Sequence, residues 1–590
     1  MMKPLLVFLL IGFTFSTARL QAPSPSGNDS QQLAALVNSY YEEGLRLFPL
    51  DATENGDYRY NDLLFADFTD SYRATLKEFY YHYLFALKDV KRENLGSSDR
   101  ISYDLLKKEL DIKLEGLAFK YNRMPADQFS HSLPLVLAQF GSGDVVQPFK
   151  TIKDYDNWIR RATAFSAWTD SALAYFRKGM AENIVLPRAL VAKMIPQLEA
   201  LVANAPTQSV FYGPIRKLPQ AFPEEEKKRL TEAYVRLING HLNSAYRRLA
   251  NFLKTEYLPV TRTTSGWGAL PGGNKMYQYR IRQQTTTNTS ADALFQTGLA
   301  EVKRIRAEME KVKAQIGFRG SLDSLFRYMT TDARFFPYKT PEEVLNAYRA
   351  LQQKIEPSLA KMFTQTPKTP FVIKQTEAFR AASAAAEYYP GSLENNRPAI
   401  FYVPIVDVTK TELDESVFLH EAIPGHHYQL SLQYENERLP KFRRYGGTGA
   451  YVEGWALYAE SLGKELGVYT DPYQYLRALG SEIHRAIRLV TDAGLHAKGW
   501  TREQAIQYMR ENEPISEQFA TAEIERYMAW PGQALTYKVG ELKIKELRNR
   551  YSRQLGARFR LSAFHDELLK DGALPLDLLE QKMNAWAMKQ

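Results

Sequence analysis

The chain has 590 residues, of which 45% are hydrophobic and 24% charged, an ordinary globular composition that excludes a disordered, collagenous or coiled-coil protein. Its net charge of +9 comes from 76 Lys and Arg interleaved with 67 Asp and Glu, so no basic stripe points to nucleic acid as a partner. Zero cysteines exclude disulfides, thiolate zinc sites, iron–sulfur clusters and cysteine nucleophiles, and leave His and carboxylates as the ligands for any metal.

Residues 1–21 read as a secretory signal, with basic Lys3, an apolar run over Leu5–Phe15 and small Ser16 and Ala18 at the cleavage site. The run is shorter than the ~20 apolar residues of a membrane helix, and no cysteine stands near it to carry a lipid. The expected protein is therefore periplasmic or secreted, with no membrane contact beyond the signal. Residues 22–264 form an N-terminal helical half, in which Ser71–Lys91, Asp156–Asn183 and Glu224–Lys254 carry apolar residues three and four apart. The turn-rich stretch Ser265–Asn274 is the boundary. Residues 265–590 form a C-terminal half with the catalytic site, and its first long helix is the periodic Ala293–Ile316 segment after Ser290. Strand character is confined to Thr369–Lys374 and Ala399–Val408. Pro404 favours an edge position for the second strand, where free backbone groups could pair with an extended ligand. After Glu412 the pattern is helical to the end.

Three of nine histidines fall in Phe418-Leu-His420-Glu421-Ala-Ile-Pro424-Gly425-His426-His427-Tyr-Gln429. The H-E-x-x-H pattern of zinc peptidases sets two His one helical turn apart on one metal, with the intervening Glu polarising water. Here the second His is displaced by Pro424-Gly425. In a regular helix His427 would share the face of His420 two turns away, and His426 would point off it. Pro-Gly kinks or bulges a helix, however, and a wide turn returns His426 to the ligand position. His426 is the preferred second ligand and His427 the alternative. A third protein ligand is expected. Glu453 and Glu460 share one face of a helical run, and Glu453, among Val452, Trp455, Ala456 and Leu457, is costly to bury without a neutralising cation. Glu460 is a supporting or alternative ligand. A solvated face with one salt bridge is the competing reading of both. Asp414 and Glu415 are helix-start charges.

Further on, Arg488, Asp492 and His496 lie at i, i+4 and i+8 of one helix, where an Arg488–Asp492 ion pair is the simple expectation. In a functional reading Arg485 or Arg488 forks a substrate carboxylate, and His496 stabilises an oxyanion or, like Asp492, supports a ligand. Arg526, Tyr527, Tyr537 and Lys538 follow around a Pro-Gly break. No glycine-rich phosphate loop follows a strand, and no G-x-S-x-G elbow is present.

The string His420–Gln429 with Val452–Ala456 resembles the bacterial domain-of-unknown-function family number 885. Pro49–Thr53, Gly56–Tyr58, Thr285–Thr287, Gly298–Val302, Arg306–Met309, Arg485–Gly499, Pro531–Ala534 and Tyr537–Lys538 agree with it. That family is similar to the helical zinc peptidases that include angiotensin-converting enzyme and thimet oligopeptidase. The resemblance implies a mostly α fold around a deep cleft, to which the short strand runs add a small β-sheet at the active site, and it assigns the ligand role to the His directly after Pro-Gly, His426. It also makes Tyr527 and Tyr537 candidates for the hydroxyl that steadies the oxyanion. The expected protein is a zinc-dependent peptidase of short peptides, with one Zn²⁺ on His420, His426 and Glu453 and with Glu421 as general base. Arg485, Arg488, His496 and Arg526 are the expected substrate contacts. A metal hydrolase of a non-peptide amide or ester, and a non-catalytic binding protein whose His pair Pro424 has ruined, are the competing readings.

Overall fold

In a computed structural model of the chain, residues 29–376, 385–391 and 397–590 are described, and the expected signal over residues 1–21 lies outside them. Several long helices begin and end where side chains or glycines satisfy the terminal backbone groups. The segment expected from Asp156 starts earlier, at Ile152, because Thr151 and Asp154 form a reciprocal capping box, and it stops at Asn183, which takes the left-handed conformation. Ser290 caps α1 (Ala291–Ile316), which Gly317 closes at a φ of 73°. The Glu224–Lys254 segment is helical throughout, with wide turns at Leu237–Leu242 and Leu253–Tyr257.

The architecture is mostly helical with one three-stranded sheet, β1 (Phe371–Gln375), β2 (Glu387–Tyr389) and β3 (Ala399–Val403). The strand order is β1-β3-β2, with β3 parallel to β1 and antiparallel to β2. The expected edge strand is therefore the central one. Its ladder ends at Val403, so Pro404 falls just past the strand, where its missing N–H removes no pairing, and both flanks of β3 are occupied. Ala399, Phe401 and Val403 alternate inward. The Phe401 ring packs at 5.8 Å on Phe418 and at 5.3 Å on Tyr348, which docks the sheet on α2 (Glu415–Glu421).

Trp158, Phe165, Phe176 and Tyr246 lie in one core built from residues 68–257, and Leu33, Tyr83 and Leu110 in a second that Phe442 and Leu578 complete. The site itself rests on the core of residues 344–587. There α2 is followed by α3 (His426–Glu435), α4 (Gly449–Ser461), α5 (Pro472–Ala497), α6 (Glu517–Ala529) and α7 (Thr536–Leu555). Gly454 of α4 faces Gly540 of α7 so closely that a Cβ on either would collide with the other helix's backbone. This contact places Glu453 beside Tyr537.

Replacing Gly454 by Val should lower the unfolding free energy by about 2–3 kcal/mol through overpacking at this crossing. Gly480→Ala, at an α5 position where an added Cβ meets only open space, should instead be neutral or stabilising by up to ~1 kcal/mol. Chemical denaturation of the two variants checks both; equal destabilisation would contradict the crossing argument.

Candidate metal centre

The helix bearing His420 does not bulge at Pro424; it stops. Ala422 leaves helical geometry at φ −102°, ψ −105°, the Ile423–Pro424 peptide is cis, and α3 restarts at His426. Gly425 is required here, since any Cβ would run into the carbonyl oxygens of Leu419 and His420. The Trp455 indole donates to the Pro424 carbonyl at 2.8 Å and ties the turn to α4. The break folds His426 back against His420, with ring centroids 4.8 Å apart and ring planes at 86°.

Glu453 enters from α4. Its Oε2 lies 3.5 Å from Nε2 of His420 and 3.5 Å from Nε2 of His426. For metal–ligand bonds of 2.0–2.1 Å, tetrahedral geometry separates neighbouring ligand atoms by about 3.4 Å, which both Glu453–imidazole distances match. Glu421 offers a carboxylate oxygen within 4.8 Å of both imidazoles. Glu453 Oε2 is buried and has no hydrogen-bond partner among the described residues, an acceptor aimed at the space between two ring nitrogens. The donor set fits Zn²⁺, with two imidazoles and a carboxylate as ligands. Glu460 accepts from His420 Nδ1 at 2.8 Å, which turns Nε2 toward Glu453, the carboxylate–imidazole support usual for a ligating His.

The carboxylates around His420 favour positive charge on its ring. Burial opposes the His420 imidazolium, but Glu453 and Glu460 outweigh it and push the group up to about 9. Glu453 is likewise penalised by burial, yet the two histidines hold it well below the usual carboxylate range. Burial raises Glu421, with His420 and His426 opposing, so this carboxylate is readied to take a proton.

His427 points elsewhere. Its Nδ1 meets Tyr388 Oη at 3.2 Å and Ser431 Oγ at 3.3 Å, its ring packs 4.6 Å from Phe371, and burial pushes it down to about 4. Of the two candidates the fold brings His426 to His420 and Glu453.

Tyr537 stacks on the His420 ring at 6.2 Å and 20°. Burial and the Glu453 charge raise its hydroxyl, which therefore keeps its proton. Arg488 and Arg485 lie with guanidinium carbons 4.7 and 5.9 Å from the Tyr537 ring centre. Arg485 also approaches Glu460 at 3.6 Å. Tyr527 is set differently, because its hydroxyl donates to Glu523 at 2.6 Å while accepting from Arg488 at 3.0 Å, and its single proton is committed. Arg526 pairs with Glu523 at 3.2 Å and donates to Gln533 at 2.5 Å.

Asp492 and His496 are drawn into the interior. Asp492 accepts from Tyr277 at 2.5 Å and from Gly532 N at 3.1 Å, and burial lifts it to about 7. The expected Arg488–Asp492 pair is not formed, because each side chain finds its partners on a different neighbouring helix or turn. His496 Nδ1 accepts from Trp267 N and Nε2 donates to the Tyr527 carbonyl, both at 3.0 Å, and burial pushes it down to about 3. Glu523 joins the site without having stood out in the sequence, although its spacing from Arg526 and Tyr527 at i+3 and i+4 is a usable signal. A cavity of about 790 Å³ has no counterpart in the sequence pattern either. It lies between Tyr40, Lys113, Arg282 and the Gly446–Gly449 loop, and reaches α4 one turn before Glu453 without including the histidines.

Two outcomes follow from this geometry. Elemental analysis of zinc-reconstituted protein should give about one zinc per chain in the wild type and in His427→Ala, and little in His426→Ala; loss in both variants equally would contradict the placement of His427. The second concerns His496. Its folded pKa of about 3 lies below its ordinary 6.5, so its contribution to stability is complete above pH ~6.5 and is lost as pH falls from there toward 3. Unfolding free energy measured across that window should fall more shallowly, by about one proton, in His496→Gln.

Among the described residues no helix is long and apolar enough to cross a membrane. The chain is similar to a solved structure from Colwellia psychrerythraea described as "the putative lipoprotein", at 27% identity over 95% of this chain and 100% of that one, with a TM-score of 0.87. It is also similar to one from Shewanella oneidensis described as "a putative lipoprotein of unknown function", at 20% identity over 94% and 99% with a TM-score of 0.71, a likeness of fold alone. No curated protein matches the chain significantly. A family model described as "Bacterial protein of unknown function (DUF885)" matches residues 49–583, and the chain belongs to that family.

Proposed function

We propose that this chain is an exported, zinc-dependent peptidase, similar in its site to the helical zinc peptidases, which hydrolyses short peptides. The observation that carries this reading is the equal 3.5 Å approach of Glu453 Oε2 to the Nε2 atoms of His420 and His426, with a raised Glu421 carboxyl directly beside them. A zinc held by these three residues would polarise the scissile carbonyl and bring the pKa of a water toward ~7.

The protein's own groups divide the remaining work. Glu421 takes the proton of the attacking water and returns it to the leaving nitrogen, a role suited to a carboxyl whose affinity for protons burial has increased. Tyr537 keeps its proton and sits on the His420 ring, so it is the phenol available to donate to the developing oxyanion. Tyr527 cannot serve in that way without releasing Glu523. Glu460 holds His420 in the tautomer that leaves Nε2 free. The side chains of His426 and Glu453 retain 11% and 20% exposure, while the ligand atom Glu453 Oε2 is itself enclosed.

Glu421→Gln should keep about one zinc per chain and lose on the order of 10²–10⁴-fold in peptide hydrolysis. Unchanged turnover in that variant, or hydrolysis that survives complete removal of metal by a chelator, would sink the reading. Tyr537→Phe should lower kcat with little change in KM, by about 10²-fold or more.

A further inference from the structure

Next to the candidate metal centre lies a set of guanidinium groups that the hydrolytic machinery does not use. Arg488 and Arg526 share one carboxylate, Glu523, at 2.8 and 3.2 Å, and the same carboxylate also meets His484 Nε2 at 3.4 Å and accepts from Tyr527. Two fixed cations are thus set against one anion. Arg488 Nη1 and Arg526 Nε are buried and find no acceptor among the described residues. Both side chains are largely enclosed, Arg488 at 7% and Arg526 at 15% exposure. Buried N–H groups of this kind are ordinarily paired, and the one nitrogen left over on each guanidinium is a charged donor suited to a carboxylate oxygen.

The position matters as much as the charge. The Arg488 guanidinium carbon is 4.7 Å from the Tyr537 ring centre, and that ring stacks at 6.2 Å on His420. The cation and the imidazole of His420 thus both neighbour one aromatic ring. Those two spacings bound the cation-to-imidazole separation at about 11 Å, a distance that one to three residues of extended peptide cover.

Resting on the peptidase reading above, we infer that Arg488 and Arg526 form the recognition site for the free α-carboxylate of a peptide substrate, making the enzyme an exopeptidase that acts from the carboxyl end. The water oxygen bonds to the carbonyl carbon near the terminus and the C–N bond breaks. The proton that Glu421 removes from water goes to the departing nitrogen, and a carboxy-terminal amino acid or dipeptide leaves. Glu523 is a positioning residue, since it fixes both guanidiniums without touching substrate.

The test uses the full zinc-loaded chain and one N-acetylated tetrapeptide, prepared with a free carboxyl end and with a carboxamide end. Binding is measured by calorimetry on the Glu421→Gln variant and cleavage by mass spectrometry on the wild type. The free acid is expected to bind at least about 10-fold more tightly than the amide, with release of one or two carboxy-terminal residues. In Arg526→Gln, checked for zinc content and cooperative unfolding, that preference should collapse. Equal binding of acid and amide, binding of neither at millimolar peptide, or equal internal cleavage of both, overturns the inference. A clear preference for the acid with no cleavage at all would leave the carboxylate site standing and remove the peptidase reading instead.

Discussion

One imidazole, His420, is gripped from both sides by carboxylates of a single helix. Glu460 takes its Nδ1 at 2.8 Å and Glu453 approaches its Nε2 at 3.5 Å. Residues seven apart on a helix lie on one face about 10 Å apart along the axis, so only one rotation and one offset of α4 against α2 satisfy both contacts. Much of the surrounding structure secures that relation. Trp455, two residues after Glu453, ties α4 to the turn that ends α2, and Phe418, two residues before His420, anchors α2 to the sheet through Phe401. The Gly454–Gly540 crossing then brings α7, and with it Tyr537, against the same imidazole.

The Pro424-Gly425 break is a consequence of the same constraint. A continuous helix would send His426 away from His420, and ending the helix at Glu421 lets the chain reverse within four residues. Proline gives up an N–H that has no helical partner at this turn. Glycine is the residue that fits where the chain passes over the carbonyls of Leu419 and His420. An arrangement that departs from the H-E-x-x-H spacing thus still brings the two imidazoles together, their ring centroids 4.8 Å apart.

Local pattern makes much of this legible. The His–Glu–Pro–Gly–His string, the shared face of Glu453 and Glu460, and the extents of α1 and of the Ile152–Glu182 helix all follow from residues near one another in sequence, where helical periodicity governs. Relations across elements are not legible in the same way. Pro404 suggests an edge strand, but β3 is central because Phe371–Gln375 and Glu387–Tyr389 pair with its two sides, and no local property of Ala399–Val403 encodes those partners. Similarly, Arg488 and Asp492 stand at ion-pair spacing on α5, yet stronger partners on other segments, Glu523 for one and Tyr277 with Gly532 N for the other, draw them apart. His496 shows the same limit, since a histidine on the functional stripe of a helix is consumed by two backbone groups 229 and 31 residues away.

The charges in this region form one coupled set, and that coupling governs what each residue can do. Three carboxylates, Glu460 buried and Glu421 and Glu453 half-buried, surround two imidazoles, and the cation Arg485 approaches Glu460 at 3.6 Å. Buried ions are tolerated only when opposite charge and hydrogen bonds offset their lost hydration. The described side chains leave Glu453 Oε2 and Glu460 Oε2 without a hydrogen-bond donor, and a proton on His420 meets part of that need. A divalent cation at the three-way contact would meet more of it, displacing that proton and turning the histidine from a charge partner into a ligand. Beside Tyr537, Arg488 and Arg526 share the Glu523 carboxylate, and each keeps one buried nitrogen without an acceptor among the described residues. Carboxylate oxygens that lack donors and guanidinium nitrogens that lack acceptors, both gathered close to Tyr537, therefore constrain what the region can hold jointly rather than separately.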